Sequence, residues 1–309
     1  MTQPPLRMGA TEWMLLLILS VLWGGSFFFA KIALAELSPL MIVLSRVMLA
    51  AATLYAVVRI MGLSMVVGTQ MWAAFFGMGV LNNLIPFSLI FWGQTQISSG
   101  LASILNATTP LFAVLVAHIW GENERLTALK VMGILAGLVG VAILMGPDAL
   151  SGLGGNLLPQ LAVLAAAMSY GFAGYFGRRF RALPPLVTAT GQVTATSLML
   201  FPVMLLSGQL SNLTMPSQTT LGAVLGLGLI STALAYAIFF RIMQKAGGTN
   251  VGLVTFLIPV SAILLGSTFL GETLLPRHIW GMGAIMTGLA LIDGRIVPKG
   301  LVARFQRGN

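Results

Sequence analysis

Polar side chains that fall inside apolar runs are the ones in this chain that could do chemistry. The stretch from Ser98 to Glu122 carries Ser99, Ser103, Asn106 and Pro110 at spacings of 4, 3 and 4. On a helix that spacing puts them on one face. A proline within a helix frees the carbonyl four residues back, here that of Asn106, and permits a kink. The freed backbone and the Asn106 side chain, with Thr109 beside them, could bond an ammonium, a carboxylate or water. The blander role for Asn106 is a bond to a neighbouring helix, worth about 0.6 kcal/mol. A second stretch, from Gly248 to Glu272, has Pro259 in the place of Pro110 and Glu272 in the place of Glu122, with Thr255 as its polar candidate.

Other candidates follow the same logic. Asn82 and Pro86 share a face at i, i+4, and Asn83 lies beside them. Two adjacent asparagines cannot point the same way, so one is expected to line a cavity and the other to pack. Trp23, Ser26 and Phe27, with Tyr170 and Tyr175, offer rings with polar tips that suit amphipathic substrates. The competing role is an interfacial aromatic belt. Thr232 and Tyr236 extend the polar set, and Met78 either flanks the site or packs. Arg46 is the one basic residue well inside an apolar run. It either meets a substrate carboxylate or snorkels outward.

Binding is the chemistry these residues suit. An intramembrane enzyme needs a nucleophile–base pair, paired acids or a metal set within its spans. The seven acids lie at segment ends or in loops, and the two histidines, His118 and His278, show no ligand spacing. Cysteine is absent, so there is no thiolate site. No catalytic residue, metal or cofactor is expected. A channel would need a continuous polar pore or charged ring, and the polar residues are too few and too central.

Composition says what positions them. The 309 residues are 57% hydrophobic and 7% charged, against roughly 25% charged in soluble domains. So few charges cannot make a solvated surface, and an all-α membrane protein is expected. Ten apolar segments can be counted, at about 13–31, 38–60, 71–92, 98–120, 127–146, 157–177, 186–207, 219–241, 248–270 and 278–294. Most reach the roughly 17–25 residues of a bilayer span. The first could be read as a signal peptide, with Ala33-Leu34-Ala35 as a cleavage site, but its run is long and has a counterpart in the second half. The formal charge of +9 is explained by membrane topology rather than nucleic acid. With the N-terminus in the cytoplasm, thirteen Lys and Arg fall inside and two, Lys31 and Arg277, outside. That asymmetry predicts both termini inside.

A shift of 149 residues lays Gly77 on Gly226, Gly79 on Gly228, Phe91 on Phe240 and Pro110 on Pro259. Slips of one or two residues bring Trp23-Gly24 onto Tyr170-Gly171 and Gly121-Glu122 onto Gly271-Glu272. Each half holds five segments, an odd number, so the halves should enter the bilayer in opposite directions. Inverted repeats of this kind place a substrate site near the midplane where the halves meet. Gly133 and Gly137, and Gly222 and Gly226, form GxxxG pairs for close helix contact. Helices 5 and 10, nearly free of polar side chains, are expected as outer scaffold or a dimer face.

Trp23-Gly24-Gly25-Ser26-Phe27 resembles the opening of EamA domains, and Pro110…Trp120-Gly121-Glu122 and Pro259…Leu270-Gly271-Glu272 resemble the end of their fourth helices. The chain is similar to the drug/metabolite transporter superfamily, EamA type, with repeats at 12–146 and 157–295 and a basic cytoplasmic tail at 296–309. In the second repeat Tyr170 stands in the place of the tryptophan. The resemblance implies a bacterial inner-membrane protein, monomer or weak homodimer, with ten transmembrane helices in two inverted five-helix repeats. Helices 1, 3, 4, 6, 8 and 9 would surround the cavity, with hinges near Pro110, Pro259 and the glycines of helix 8. It implies export of small metabolites, amino acids including aromatic ones foremost, with drug export as the alternative. The positions of the acids predict facilitated export or exchange rather than tight proton coupling, unless Glu122 and Glu272 serve from the helix ends.

Overall fold

A computed structural model describes residues 9–120, 128–145, 157–210, 215–246 and 248–293, which are helical with short connections and contain no strand. The helices are α1 (Ala10–Ala33), α2 (Pro39–Ile60), α3 (Thr69–Gln94), α4 (Ser99–Trp120), α5 (Ala128–Met145), α6 (Leu157–Phe180), α7 (Pro185–Leu206), α8 (Gln218–Met243), α9 (Val254–Phe269) and α10 (Pro276–Asp293). Seven of them, α1 to α4 and α6 to α8, are long and apolar enough to cross a bilayer, and α5 and α9 contain shorter apolar stretches. Their outer faces carry large apolar side chains, such as Met14, Leu17 and Val21 on α1 and Leu135, Leu138 and Val139 on α5. Lipid, not water, suits such a surface. The expected tail at 296–309 and the residues Glu122, Glu124 and Asp148 lie outside the described residues.

Local sequence explains where helices begin. Ser38, Ser98 and Ser217 each cap the helix that follows, accepting from the amides of Met41, Leu101 and Thr220. Pro39 and Pro185 occupy first-turn positions, where no amide hydrogen is needed.

Among the described residues α6 ends in a 3-10 turn at Gly177–Phe180, and four further irregularities interrupt or precede helices. In α3 residues Val80–Leu84 are wound as π-helix, and in α8 residues Gly226–Leu234 are too. The 149-residue shift lays 80–84 on 229–233, inside the second π segment. Helix α4 breaks at Ala107-Thr108, just before Pro110. A one-turn helix, Gly248–Val251, is separated from α9 by a turn at Gly252-Leu253. Pro259 itself sits inside continuous α9 helix, so the second break lies a turn or more before its proline.

Packing joins the two halves throughout. Helix α1 lies on α8 and α9, α6 on α3 and α4, α2 on α7, and α5 on α10. Glycine sets two of these crossings. A Cβ on Gly24 would stand 2.6 Å from Ser261 Cβ and 2.8 Å from the Ala262 amide nitrogen of α9. A Cβ on Gly171 would stand 3.0 Å from backbone atoms of Phe112 and Ala113 in α4. Small residues are what let backbones approach this closely. The glycine face of α5 is used within the chain: a Cβ on Gly140 would stand 2.7 Å from the Gly281 carbonyl oxygen of α10. The GxxxG of α8 is used only in part, because Gly226 meets Phe29 while Gly222 faces open space.

Carboxylates tie loops to helix starts. Glu272 accepts from the Ser99 amide (2.7 Å), the Ser99 hydroxyl (2.8 Å) and the Gly100 amide (3.1 Å). A carboxylate from the second half thus caps the first turn of α4, where free amides and the helix dipole favour negative charge. Glu36 accepts from the amide and hydroxyl of Ser217, and these bonds hold its carboxyl below the usual carboxylate range.

Two variants test this packing. Gly24→Ala should destabilise the protein by about 1–3 kcal/mol through overpacking, read as a fall in melting temperature in detergent, while Gly222→Ala should leave it unchanged. Glu272→Ala should cost about 2 kcal/mol or more, because it leaves the first amides of α4 without acceptors. An unaltered melting temperature for Glu272→Ala would mean that the cap carries no stability.

Candidate functional site

Between the halves lies a cavity of about 940 Å³. Helices α1 to α4 and α6 to α9 all contribute to its wall, and none of the lining residues comes from α5 or α10. Of the residues expected from sequence, the cavity is lined by Trp23, Ser26, Phe27, Arg46, Met78, Asn82, Asn106, Thr109, Tyr170, Tyr236 and Thr255. Asn83, Ser103, Pro110, Tyr175, Thr232 and Pro259 do not line it.

The electrostatic centre is Arg46 on α2. It is buried, 5% exposed, and does not snorkel. Its Nε donates to Thr232 Oγ1 at 2.9 Å and its Nη1 to Ser26 Oγ at 2.9 Å. The guanidinium carbon stands 3.9 Å from the centre of the Phe87 ring and 5.9 Å from that of Phe91. Cation–π attraction and two hydroxyls therefore hold a charge that burial alone would disfavour strongly. The neutral phenols of Tyr170 and Tyr236 line the same cavity. No Asp or Glu lines the cavity among the described residues.

The π segments place the polar groups. An extra residue per turn displaces carbonyls from the helical ladder, and hydroxyls take them up. Thr232 donates to the Leu227 carbonyl (2.8 Å), which aims its oxygen at Arg46. Ser169 of α6 donates to the Leu81 carbonyl (2.7 Å) in the other π segment. There Asn82 turns to the cavity and Asn83 away from it. Asn82 Nδ2 donates to Gln192 Oε1 at 3.0 Å and approaches the Tyr236 hydroxyl at 3.5 Å. Asn83 is fully buried against Thr196 of α7.

The break in α4 does part of what its proline predicts. The freed Asn106 carbonyl accepts from Thr109 Oγ1 at 2.7 Å, so the backbone oxygen is occupied by its own neighbour. The Asn106 side-chain Oδ1 is buried at the cavity wall with no hydrogen-bond partner among the described residues. That acceptor is shielded in this conformation, and a turn of the side chain would present it to an ammonium, hydroxyl or water in the cavity. Ser103 instead donates to the Gly100 carbonyl (2.7 Å) and is fully buried. Tyr175 donates to the Trp120 carbonyl (2.6 Å) and stacks under Arg178 at 5.0 Å. Pro259 is buried in the packing of α9.

Aromatic rings supply most of the remaining wall. Trp23 packs on Phe239 with centroids 5.4 Å apart, and Tyr236 on Phe240 at 6.1 Å. Phe87, Phe91, Phe239, Phe240, Gln192 and Gln94 were not among the sequence candidates, nor was Thr188. Gln192 carried a usable signal, an amide in the middle of an apolar run, the same one that marks Asn106. The phenylalanines carried none, because an apolar ring in an apolar helix reads as packing or lipid contact.

The two ends of the cavity differ. One reaches Arg178, Arg181, Leu183 and Pro185 at the turn between α6 and α7. The other stops at Gln94, whose Nε2 donates to the Phe27 carbonyl (2.9 Å). Beyond it, Lys31 Nζ donates to the carbonyls of Gln94 (2.6 Å) and Ile97 (3.0 Å) and feels the charge of Glu272. These polar contacts bind α1, the end of α3 and the start of α4 into a seal.

Comparison with known proteins accords with this architecture. The model of the EamA-like transporter family matches twice, over residues 11–146 and 157–293. An "Uncharacterized transporter" of Archaeoglobus fulgidus is 25% identical over 91% of this chain and 98% of its own. The "Uncharacterized inner membrane transporter YedA" of Escherichia coli K12 is 25% identical over 90% and 89%. A "Probable amino-acid metabolite efflux pump" of Salmonella typhimurium is 25% identical over 91% and 94%. A solved crystal structure, 20% identical over 95% of this chain and 99% of that one, shares the fold with a TM-score of 0.66. Family matches over both halves, relatives aligned nearly end to end and apolar helices around a central cavity agree: the chain belongs to the EamA-like transporter family and is a multi-pass membrane transporter of small metabolites, not an enzyme.

Proposed function

We propose that the protein exports amino acids, aromatic ones included, across the inner membrane of a bacterium, by alternating access and without tight proton coupling. The observation that carries this reading is the cavity between the halves. It offers a buried guanidinium for a carboxylate, the unpaired Asn106 Oδ1 for an ammonium, and Trp23, Tyr170 and Tyr236 for a side chain. A similar protein is named a probable amino-acid metabolite efflux pump. Absence of a carboxylate among the described lining residues removes the usual proton relay, which favours facilitated export or exchange. The many phenylalanines also suit an apolar drug, and that is the second reading.

The architecture we propose is ten spans in two inverted repeats with both termini in the cytoplasm. Four observations support it. The family matches each half separately. The packing of α1 on α9 matches that of α6 on α4, as exchange of the halves requires. Gly24 and Gly171 sit at those two crossings, and the π segments fall at related positions. The substrate would bind at the repeat interface, and one group of helices would rock against the other. In this orientation Arg178 and Arg181 lie on the cytoplasmic side and Lys31 on the outer side. The structure then represents an inward-open state with the outer end sealed. The slip that lays Trp23 on Tyr170 also lays Lys31 on Arg178. Arg178 is therefore the residue we expect to seal the inner end in the outward-open state. The α5–α10 pair lies away from the cavity, which suits a monomer or a weak homodimer.

Counterflow in proteoliposomes tests the substrate. Aromatic and aliphatic amino acids should exchange, and Asn106→Ala and Trp23→Ala should each weaken exchange about tenfold or more. Exchange of a cationic dye with no amino acid exchanged would move the assignment to drugs. The seal has its own test, eased by the absence of cysteine from the chain. A single cysteine at Ile90, which lines the cavity, should react slowly with an impermeant maleimide added outside. Adding Lys31→Met should speed the reaction several-fold, and an unchanged rate would show that Lys31 does not close the outer end.

A further inference from the structure

The charges of the cavity carry a conclusion about the cargo that the family and its relatives do not. Arg46 is buried in the wall, and hydroxyls and rings are its partners. The other cations at the wall, Arg178 and Arg181, stand at the open end. No described lining residue is acidic. The polar groups deeper in the cavity are neutral: Asn82, Gln192, Asn106 and the two tyrosines. An occupant therefore enters past positive charge and settles beside positive charge, with no fixed negative charge to balance it.

Charge balance ranks the possible cargoes. A monoanion cancels the Arg46 charge in a site shielded from water. A zwitterion leaves the total unchanged and must settle its ammonium on neutral oxygens such as Asn106 Oδ1. A cation adds a second positive charge and removes the hydration of both. At the effective dielectric of protein interiors these differences span orders of magnitude in affinity. The repeat sharpens the point, because laying Pro39 at the start of α2 on Pro185 at the start of α7 brings Arg46 onto Gln192, a neutral amide at the same wall, so the second half supplies no matching charge.

We infer that the cavity selects aromatic monocarboxylates by charge, with the guanidinium of Arg46 binding the carboxylate and the rings of Phe87, Phe91, Trp23 and Phe239 flanking the apolar body. Amino acids are accepted as the zwitterionic members of that class, and cationic amphiphiles are refused. This rests on the reading of the cavity as the transport site and narrows what it carries.

Three compounds with the same ring and chain length isolate charge: 3-phenylpropionate (negative), phenylalanine (zwitterion) and phenethylamine (positive). Each would be titrated calorimetrically into the full chain in lipid nanodiscs at neutral pH. The expected order is 3-phenylpropionate, then phenylalanine, then phenethylamine, with the first and last separated by on the order of 100-fold. Arg46→Gln should reduce that separation to a few-fold, and Arg46→Lys should keep the order. If Arg46→Gln fails to fold, the double variant Arg178→Gln/Arg181→Gln takes its place: the order should survive there, and its loss would overturn the assignment to Arg46. Equal binding of the three, tightest binding of phenethylamine, or an order that survives Arg46→Gln would each overturn the inference. Counterflow of amino acids in the presence of such a result would leave the exporter reading standing and remove only the charge selection. Binding in the expected order without any counterflow would do the reverse.

Discussion

Inside a bilayer a backbone carbonyl has no water to turn to, and each one displaced from a helical ladder must find a donor within the protein. This protein departs from regular helix in α3, α4 and α8 and just before α9, and in the first three hydroxyls supply donors, while the turn before α9 is closed by the Thr255 amide on the Gly252 carbonyl. Ser169 donates to the Leu81 carbonyl, Thr232 to that of Leu227, and Thr109 to that of Asn106, whose helical partner would have been Pro110. Irregular backbone is tolerated at membrane depth where it borders a cavity, and these departures ring one. The cavity and the exceptions to helical regularity are thus one feature. Extra or missing residues per turn rotate Asn82, Asn106 and Thr232 to where a straight helix would not hold them.

Charge obeys the same rule more strictly. Arg46 is retained in the interior because Ser26, Thr232 and the face of Phe87 approach it from three helices, α1, α8 and α3. None of the three would stabilise a guanidinium alone. Together they make a cation that is held yet not neutralised, and so is available to a ligand. The opposite arrangement appears outside the cavity. Glu272 has its charge taken up by the first amides of α4 and by nearby Lys31, which makes it structural. Its position in the second half and its partners in the first mean that the contacts at the Lys31 end of the cavity also couple the two halves.

Close contact between the halves comes from glycine. Gly24 lets α1 meet α9, and Gly171 lets α6 meet α4, at distances that leave no room for a Cβ. The tryptophan and tyrosine that precede them, Trp23 and Tyr170, are thereby turned into the cavity. The paired motif does two jobs at one place. The small residue sets the helix crossing, and the large one next to it builds the wall.

Much of this could be read along the chain. Low charge and long apolar runs required a helical membrane protein, because such sums depend only on composition and order. The internal match and the Trp-Gly and Gly-Glu motifs pointed to the family for the same reason. Mid-span polar residues named Arg46, Asn82, Asn106 and Tyr236 as candidates, since a polar group in lipid must face protein or cavity. Direction was what the linear pattern lacked. Asn82 and Asn83 are neighbours of one type, and a π turn decides that the first faces the cavity while the second packs on Thr196. Helix α7 is absent from the helices expected to surround the cavity, and its packing on α2 turns Thr188 and Gln192 inward. Whether Arg46 reached for the membrane surface or stayed inside depended on hydroxyls 20 and 186 residues away in the chain. Periodicity tells which side chains share a face of a helix. Rotation about the helix axis, and the partners brought from distant helices, follow only from how the helices pack.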